Sequence, residues 1–278
     1  MSDLSMSNVP LESYGVHQRD EFESVCEDIS EQIRRLGYAI FDSGFSQEEL
    51  LKFSGDFDDA RQAYFSMWGK DYLTKINEIN TIRAPLTFGS TSFLELAMNR
   101  YLLAIVKSLI AGKFCLNQQN GVINPPGEKY NQGLWHRDLP YQHFTSSTPL
   151  AINALFCIDD FTKTNGATFV LPATHKVGAF PSNRYIRDNA LQIEAKAGQY
   201  ILLDCMIFHT GGFNTTNKER RAVNHVFTIP FFKQQINLPK NLVNMDLTPE
   251  EKEIFGFSYE EPTNVGAYLS SRAAAVVN

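Results

Sequence analysis

Three side chains in this sequence have the types and spacing of a metal site. His136 and Asp138 lie one residue apart in Trp135-His136-Arg137-Asp138, and His209 closes an apolar run that starts at Tyr200. Two imidazoles and one carboxylate on one face of an octahedral ion leave three positions open, the ligand set associated with non-haem Fe(II) oxygenases. Residues i and i+2 of an extended chain point to the same side, so His136 and Asp138 reach one ion if the backbone there is a strand. His209 comes from far along the chain, as it can in a barrel whose remote strands face one another.

The pair alone is weak, because 6 His and 14 Asp in 278 residues give roughly 0.3 such triplets by chance. A kinase reading of His136-Arg137-Asp138-Leu139 fails, since no Gly-rich loop precedes it and neither the following Asn nor an Asp-Phe-Gly is present. The other histidines are poorer ligands: His17 lies near the amino terminus, His175 in a loop after Pro172, and His225 on a late strand. Asp204, directly after an apolar trio, is expected to fix a turn.

The elements that must position these groups are readable from periodicity. Phe22, Val25, Cys26, Ile29, Ile33 and Leu36 recur at helical spacing before Gly37, which predicts a helix over Asp20 to Leu36. A short strand follows at Tyr38 to Phe41, and Ser46 with Glu49 forms a capping-box pattern for a helix reaching toward Trp68. A third helix is expected over Ser92 to Ile110. Beyond Lys113 the texture changes to short segments divided by turn residues: Phe114 to Ile123, Leu150 to Ile158, Ala167 to Leu171, Leu191 to Ala195, Gln199 to Leu203 and Ala222 to Phe231. Strands at this spacing suggest a barrel or sandwich. Thr248-Pro249-Glu250-Glu251 opens a late helix with proline at its first position. The expected organisation is a loose arm over residues 1–17 and a single α+β domain over 18–278, helices first and a mainly β core after them.

Composition excludes several classes. The net charge is −6, with 25 Lys+Arg scattered among 31 Asp+Glu, so the clustered basic stripe of a nucleic-acid surface is missing. The four cysteines form no Cys-x-x-Cys pair and are too sparse for a disulfide framework. With no apolar leader near the amino terminus and no stretch of about 18 apolar residues, a cytoplasmic protein acting on a small molecule, off the membrane and as a monomer or homodimer, is expected.

The motifs also match a family in order and spacing. Trp135-His136-Arg137-Asp138, the run Asn165 to His175, and His209-Thr210-Gly211-Gly212-x-Asn214 with Arg220-Arg221-Ala222 resemble the phytanoyl-CoA dioxygenase family from about Gly37 to Lys233. The resemblance implies a double-stranded β-helix (jelly roll, cupin-like) with the N-terminal helices packed on one sheet, holding Fe(II) and using 2-oxoglutarate and O2 as co-substrates. It makes His136, Asp138 and His209 the iron ligands. It places the 2-oxoglutarate arginine at Arg220, eleven residues past His209, with Arg221 as the alternative. A guanidinium suits that role because its planar fork matches a carboxylate. Thr168, Gln119 and Asn153 resemble positions that hydrogen-bond the co-substrate. Family members commonly read Pro-Gly-Ser-His where Ala173 and Thr174 replace the Gly and Ser here, a loop variation expected not to touch the metal.

Related halogenases replace the carboxylate ligand, so Asp138 favours hydroxylation of an unactivated C–H bond, with succinate and CO2 released. Desaturation, cyclisation and epimerisation stay open, and the family's range makes secondary metabolism one setting. Loops on a rigid core usually carry specificity. They point to Arg83 and Phe88 within Lys75 to Thr91, Tyr141 and His143 within Leu139 to Ser147, and Arg184 and Arg187 within Phe180 to Arg187 as substrate contacts. Two other readings are a cupin-like metalloenzyme that does not use 2-oxoglutarate, and a non-catalytic binding module on this fold.

Overall fold

The computed structural model describes residues 9–16, 24–88, 90–139, 141–142 and 144–277. His17, His143 and the start of the first expected helix lie outside them. Helix α1 (Val25–Leu36) begins at a capping box of Ser24 and Glu27 and ends at Gly37, whose left-handed φ of 83° suits a residue without a side chain. Strand β1 (Tyr38–Asp42) and helix α2 (Gln47–Trp68) follow, α2 opening at the Ser46 and Glu49 capping box.

The single helix expected over Ser92 to Ile110 is two. After a short α3 (Lys70–Lys75), α4 (Ser92–Ala97) stops and α5 (Arg100–Leu109) restarts. Asn99 is the reason: its Oδ1 accepts from the amides of Tyr101 and Leu102, both at 3.1 Å, and its Nδ2 donates to Ser43 O. An Asn that caps the following helix is worth more there than in a helix interior.

The strands build two antiparallel sheets. In the larger, β1 lies beside β7 (Gln199–Asp204), then β4 (Ala151–Cys157), β9 (Arg220–Thr228), β3 (Cys115–Asn124) and β2 (Thr81–Arg83). The smaller holds β6 (Leu191–Gln192), β5 (Phe169–Val170) and β8 (His209–Thr210). Together they form a double-stranded β-helix, shorter in its small sheet than the apolar runs suggested. The segment read as a substrate loop, Lys75 to Thr91, instead contributes the edge strand β2 and a 3-10 turn at Pro85–Phe88.

Period-2 alternation sorts the large sheet's faces. Tyr200, Leu202, Val223 and Phe227 join Ile33, Phe53 and Phe57 in the core beneath the helices. Ile201, Leu203 and Ala222 turn the other way, against Val170 and Ile207 of the small-sheet side. The site lies between the sheets, on that second face. Helix α6 (Asn183–Asn189) lies between β5 and β6, and α7 (Leu238–Asn241), α8 (Pro249–Ile254) and α9 (Val265–Val277) follow β9, α8 from the expected proline. No helix among the described residues is long and apolar enough to cross a membrane.

Candidate metal centre

His136 and His209 are held together by their own backbones. His136 N donates to His209 O at 3.0 Å and His209 N returns the bond to His136 O at 3.1 Å. This isolated bridge sets the two rings 4.4 Å apart. The expected strand through Asp138 does not form, because after His136 the chain turns to give the Asp138 amide to Cys205 O at 3.0 Å. The shared facing predicted from i and i+2 survives through that bond.

Each imidazole is aimed by a carbonyl two residues before it: His136 Nδ1 lies 2.7 Å from Leu134 O and His209 Nδ1 lies 3.1 Å from Ile207 O. With Nδ1–H donating, the Nε2 lone pair of each ring is free to bind a metal. Those Nε2 atoms lie 3.7 Å (His136) and 3.4 Å (His209) from Asp138 Oδ1, and one ligand atom from each of the three residues falls within 4.8 Å of the others. Ligands about 2.1 Å from an ion on adjacent octahedral positions sit about 3 Å apart, so the donor set fits a divalent metal after small adjustments.

The charges are arranged for the same end. Burial works against the Asp138 carboxylate, but the charge and hydrogen bond of His209, with smaller help from His136 and Asn153, hold it at about 2. Burial also opposes the His209 imidazolium, and Asp138 outweighs it and raises that pKa. His136 is lowered, by burial first and then by the charge of His209.

Arg220 and Arg221 separate by alternation along β9. Arg221 faces α2, bonding Asp159 and Asp58, each at 2.8 Å, and Ser54 Oγ at 2.9 Å. Arg220 turns inward and is buried, lying over the Phe161 ring at 3.8 Å, with Nη2 donating to the Tyr130 hydroxyl at 3.4 Å. Its Nε and Nη1 have no partner. A buried guanidinium without an anion is costly, and burial lowers its pKa. The same cavity is lined by the three metal-type ligands, Arg220, Thr168 and Asn153.

The remaining expectations divide. Asn153 spends its Nδ2 on Asp138 Oδ2 at 2.8 Å, so it supports the carboxylate. Gln119 lies on the opposite face of β3, accepting from Leu86 N and donating to Phe93 O, and is spent on holding the helical layer. Arg83 is tied to Glu78 by bonds of 2.6 and 2.7 Å, and Phe88 packs on Tyr64. Tyr141 is exposed and stacked on Phe144, while Arg184 is exposed on α6 facing Asp188. None of these last five lines the cavity. Asp204 fixes its turn as expected, accepting from Met206 N at 2.9 Å.

Two contributors escape sequence reading. Tyr130, in the connector before the metal motif, joins the cavity wall beside Arg220. Arg137, between the two ligands, looks like a surface charge in sequence but is 2% exposed. It lies over Phe208 and donates to the carbonyls of Gln142, Thr174 and Val177, clamping the backbone whose other side carries His136 and Asp138.

The family model described as phytanoyl-CoA dioxygenase matches residues 33–222. An uncharacterized protein of Mycobacterium tuberculosis is 27% identical over 250 residues, covering 87% of this chain and 90% of its own. The ectoine dioxygenase of Stutzerimonas stutzeri is 22% identical over 270 residues, covering 82% and 88%. Among solved structures, EctD from S. alaskensis with bound Fe shares the fold with a TM-score of 0.62 at 20% identity, covering 78% of this chain and 81% of that one.

Proposed function

Because the chain belongs to the phytanoyl-CoA dioxygenase family, we propose that it is an Fe(II)- and 2-oxoglutarate-dependent dioxygenase that oxidises a C–H bond of a small molecule, hydroxylation being the favoured outcome. One observation carries the co-substrate half of this reading: the cavity that gathers His136, Asp138 and His209 also holds the buried Arg220, whose Nε and Nη1 lack partners. A buried guanidinium with two unpartnered nitrogens favours an anionic co-substrate over a metalloenzyme that uses none.

His136, Asp138 and His209 would hold the iron, their facing lone pairs occupying three positions and leaving the rest for reactants. When bound, iron and 2-oxoglutarate together supply the oxidising chemistry, in which O2 is consumed and the 2-oxo acid is decarboxylated to succinate and CO2. Arg220 binds and orients the distal carboxylate, a planar fork meeting a planar acceptor. Thr168 offers a hydroxyl on the wall of the same cavity. Asn153 and Arg137 keep the ligands in place, the first through the carboxylate and the second through the backbone. The apolar Val122, Leu155, Leu203 and Ala222 line the walls and limit water around the reacting centre. Retention of the Asp138 carboxylate supports oxygenation over halogenation.

The substrate is proposed to be a small metabolite, with secondary metabolism as its setting. The four cysteines are free, which supports a reducing compartment such as the cytosol. The test is anaerobic addition of Fe(II) and 2-oxoglutarate to the purified protein. A weak visible charge-transfer band is expected, lost in His136→Ala and Asp138→Ala, followed by slow succinate formation on admitting O2. Wild-type protein that takes up no iron and gives no band overturns the reading.

A further inference from the structure

The cavity wall around Arg220 contains a second polar group whose position depends on a missing side chain. Tyr130 reaches in from the connector between β3 and His136, and its hydroxyl accepts from Arg220 Nη2 at 3.4 Å. The space for that hydroxyl exists because residue 211 is glycine: a Cβ built there would lie 1.8 Å from the Tyr130 oxygen and 2.8 Å from the ring carbon that bears it. Any other residue at 211 would expel the phenol. The two segments are joined elsewhere as well, by Gly211 N donating to Gln132 O at 2.8 Å and by Thr210 Oγ1 donating to the same oxygen at 3.4 Å. The strand that carries His209 and the connector that leads to His136 therefore meet at the Tyr130 hydroxyl.

A phenol that accepts from a guanidinium keeps its own proton for a second partner. Among the described residues no acceptor takes it, and the hydroxyl borders the cavity that Arg220 enters. Burial raises the Tyr130 pKa, with Arg220 opposing, so the group stays a neutral donor. Arg220 Nε and Nη1 are free on the same side chain. Two donors of different chemistry thus converge on one place where an anion is wanted.

We propose that Tyr130 is a positioning residue for the co-substrate: its O–H donates to the distal carboxylate of 2-oxoglutarate beside Arg220, in the space that Gly211 leaves open. This rests on the 2-oxoglutarate reading given above. The carboxylate would then be held by a guanidinium from the large sheet and a phenol from the connector. Co-substrate binding would thereby secure the segment from Tyr130 to His136.

The experiment is anaerobic calorimetry on the Fe(II)-loaded full chain with two ligands, 2-oxoglutarate and oxalate. Oxalate chelates the metal but has no distal carboxylate. Tyr130→Phe keeps the ring and its packing and removes only the hydroxyl, so its 2-oxoglutarate Kd is expected to rise about tenfold, the usual scale of a lost hydrogen bond to a charged group. Its oxalate Kd is expected to match wild type. An unchanged 2-oxoglutarate Kd, or an equal loss for both ligands, overturns the proposal. Gly211→Ala, which forces the phenol out, is expected to reproduce the ligand-selective loss, and wild-type affinity in that variant would also overturn it. If wild-type protein binds oxalate but no 2-oxoglutarate, the co-substrate reading itself fails and this inference falls with it.

Discussion

Asn153 Nδ2 donates to Oδ2 of Asp138 at 2.8 Å, which leaves Oδ1 of that carboxylate turned toward the Nε2 atoms of His209 and His136. The amide fixes which oxygen faces the metal. Removing it in Asn153→Leu leaves a buried carboxylate free to rotate and short of a donor. Loss of such an outer partner typically weakens metal binding 10–100-fold. Competition with a chromogenic chelator should show an Fe(II) affinity lower by about that factor, with the fold intact by circular dichroism. Unaltered affinity would mean that Asn153 does not orient the ligand.

The charge balance of the metal-free site predicts a pH dependence. His209 is raised by Asp138, which is itself held at about 2, whereas His136 is lowered. Below the raised pKa of His209 its proton must leave before iron binds, so the free site carries one proton that the loaded site does not. Affinity therefore falls on acidification, by up to about tenfold per pH unit, and levels off above that pKa. His136, already neutral there, adds no second proton. The sign for stability is separate: the raised His209 stabilises the metal-free fold at low pH, and this is lost as pH rises through its folded value. The stabilisation from the lowered Asp138 is present above the ordinary carboxylate range and lost as pH falls toward about 2. Fe(II) titrations from about pH 6 to about 9 test the binding claim; a flat or inverted profile contradicts it.

Arg220 and Arg221 should fail in opposite ways. Arg220→Met replaces a buried cation lacking partners on Nε and Nη1 with an apolar chain, so stability should hold or rise while 2-oxoglutarate binding is lost. Arg221→Met breaks contacts to Asp58 and Ser54 that fasten β9 to α2, and to Asp159 in the turn after β4. It should cost about 2 kcal/mol of stability and leave the 2-oxoglutarate Kd near wild type. Thermal unfolding and calorimetry on both variants separate the two roles, and a swapped pattern would reverse the assignment.

These two arginines also mark how far sequence carries. Their neighbouring positions on a strand make opposite facing certain, but which one faces the cavity depends on the register of β9 against β3, where Asn124 lies opposite Arg220. Short-range signals are legible because caps are local: the box at Ser46 forms as its spacing requires, and the helix after Thr248 opens at its proline. Asn99 carries the same kind of local signal, an N-cap that splits the third helix, but the apolar period running through Ser92 to Ile110 masks it. Gln119, which the resemblance points to, lies on the helical face, because a bulge between Leu116 and Gln118 shifts the alternation of β3. Arg137 and Tyr130 were hidden for a different reason. Their partners, Thr174 and Arg220, are 37 and 90 residues away, and nothing in the local pattern announces such contacts.

The loop before His175 offers a last test, since its departure from the family pattern has a conformational consequence. Ala173 sits in the left-handed region at φ 63° and ψ 3°, and its amide donates to Leu36 O at 2.7 Å. A side chain in that region costs about 1–2 kcal/mol, and glycine would avoid the cost while losing about 0.4–1 kcal/mol through its freer unfolded chain. Ala173→Gly should therefore stabilise the protein by about 0.5–1 kcal/mol, raising Tm by about 2 °C. The neighbouring Thr174 is the opposite case. Its hydroxyl accepts from Phe208 N at 3.1 Å and donates to Leu171 O at 2.6 Å, immediately beside His209. Thr174→Val keeps the shape and leaves the Phe208 amide buried without an acceptor, a loss of about 1–3 kcal/mol, whereas Thr174→Ser should cost far less. Neither residue touches the metal ligands directly, so Fe(II) affinity should change little in Ala173→Gly. A destabilised Ala173→Gly, or a Thr174→Val as stable as wild type, would show that this loop is held by something other than the turn and the hydroxyl.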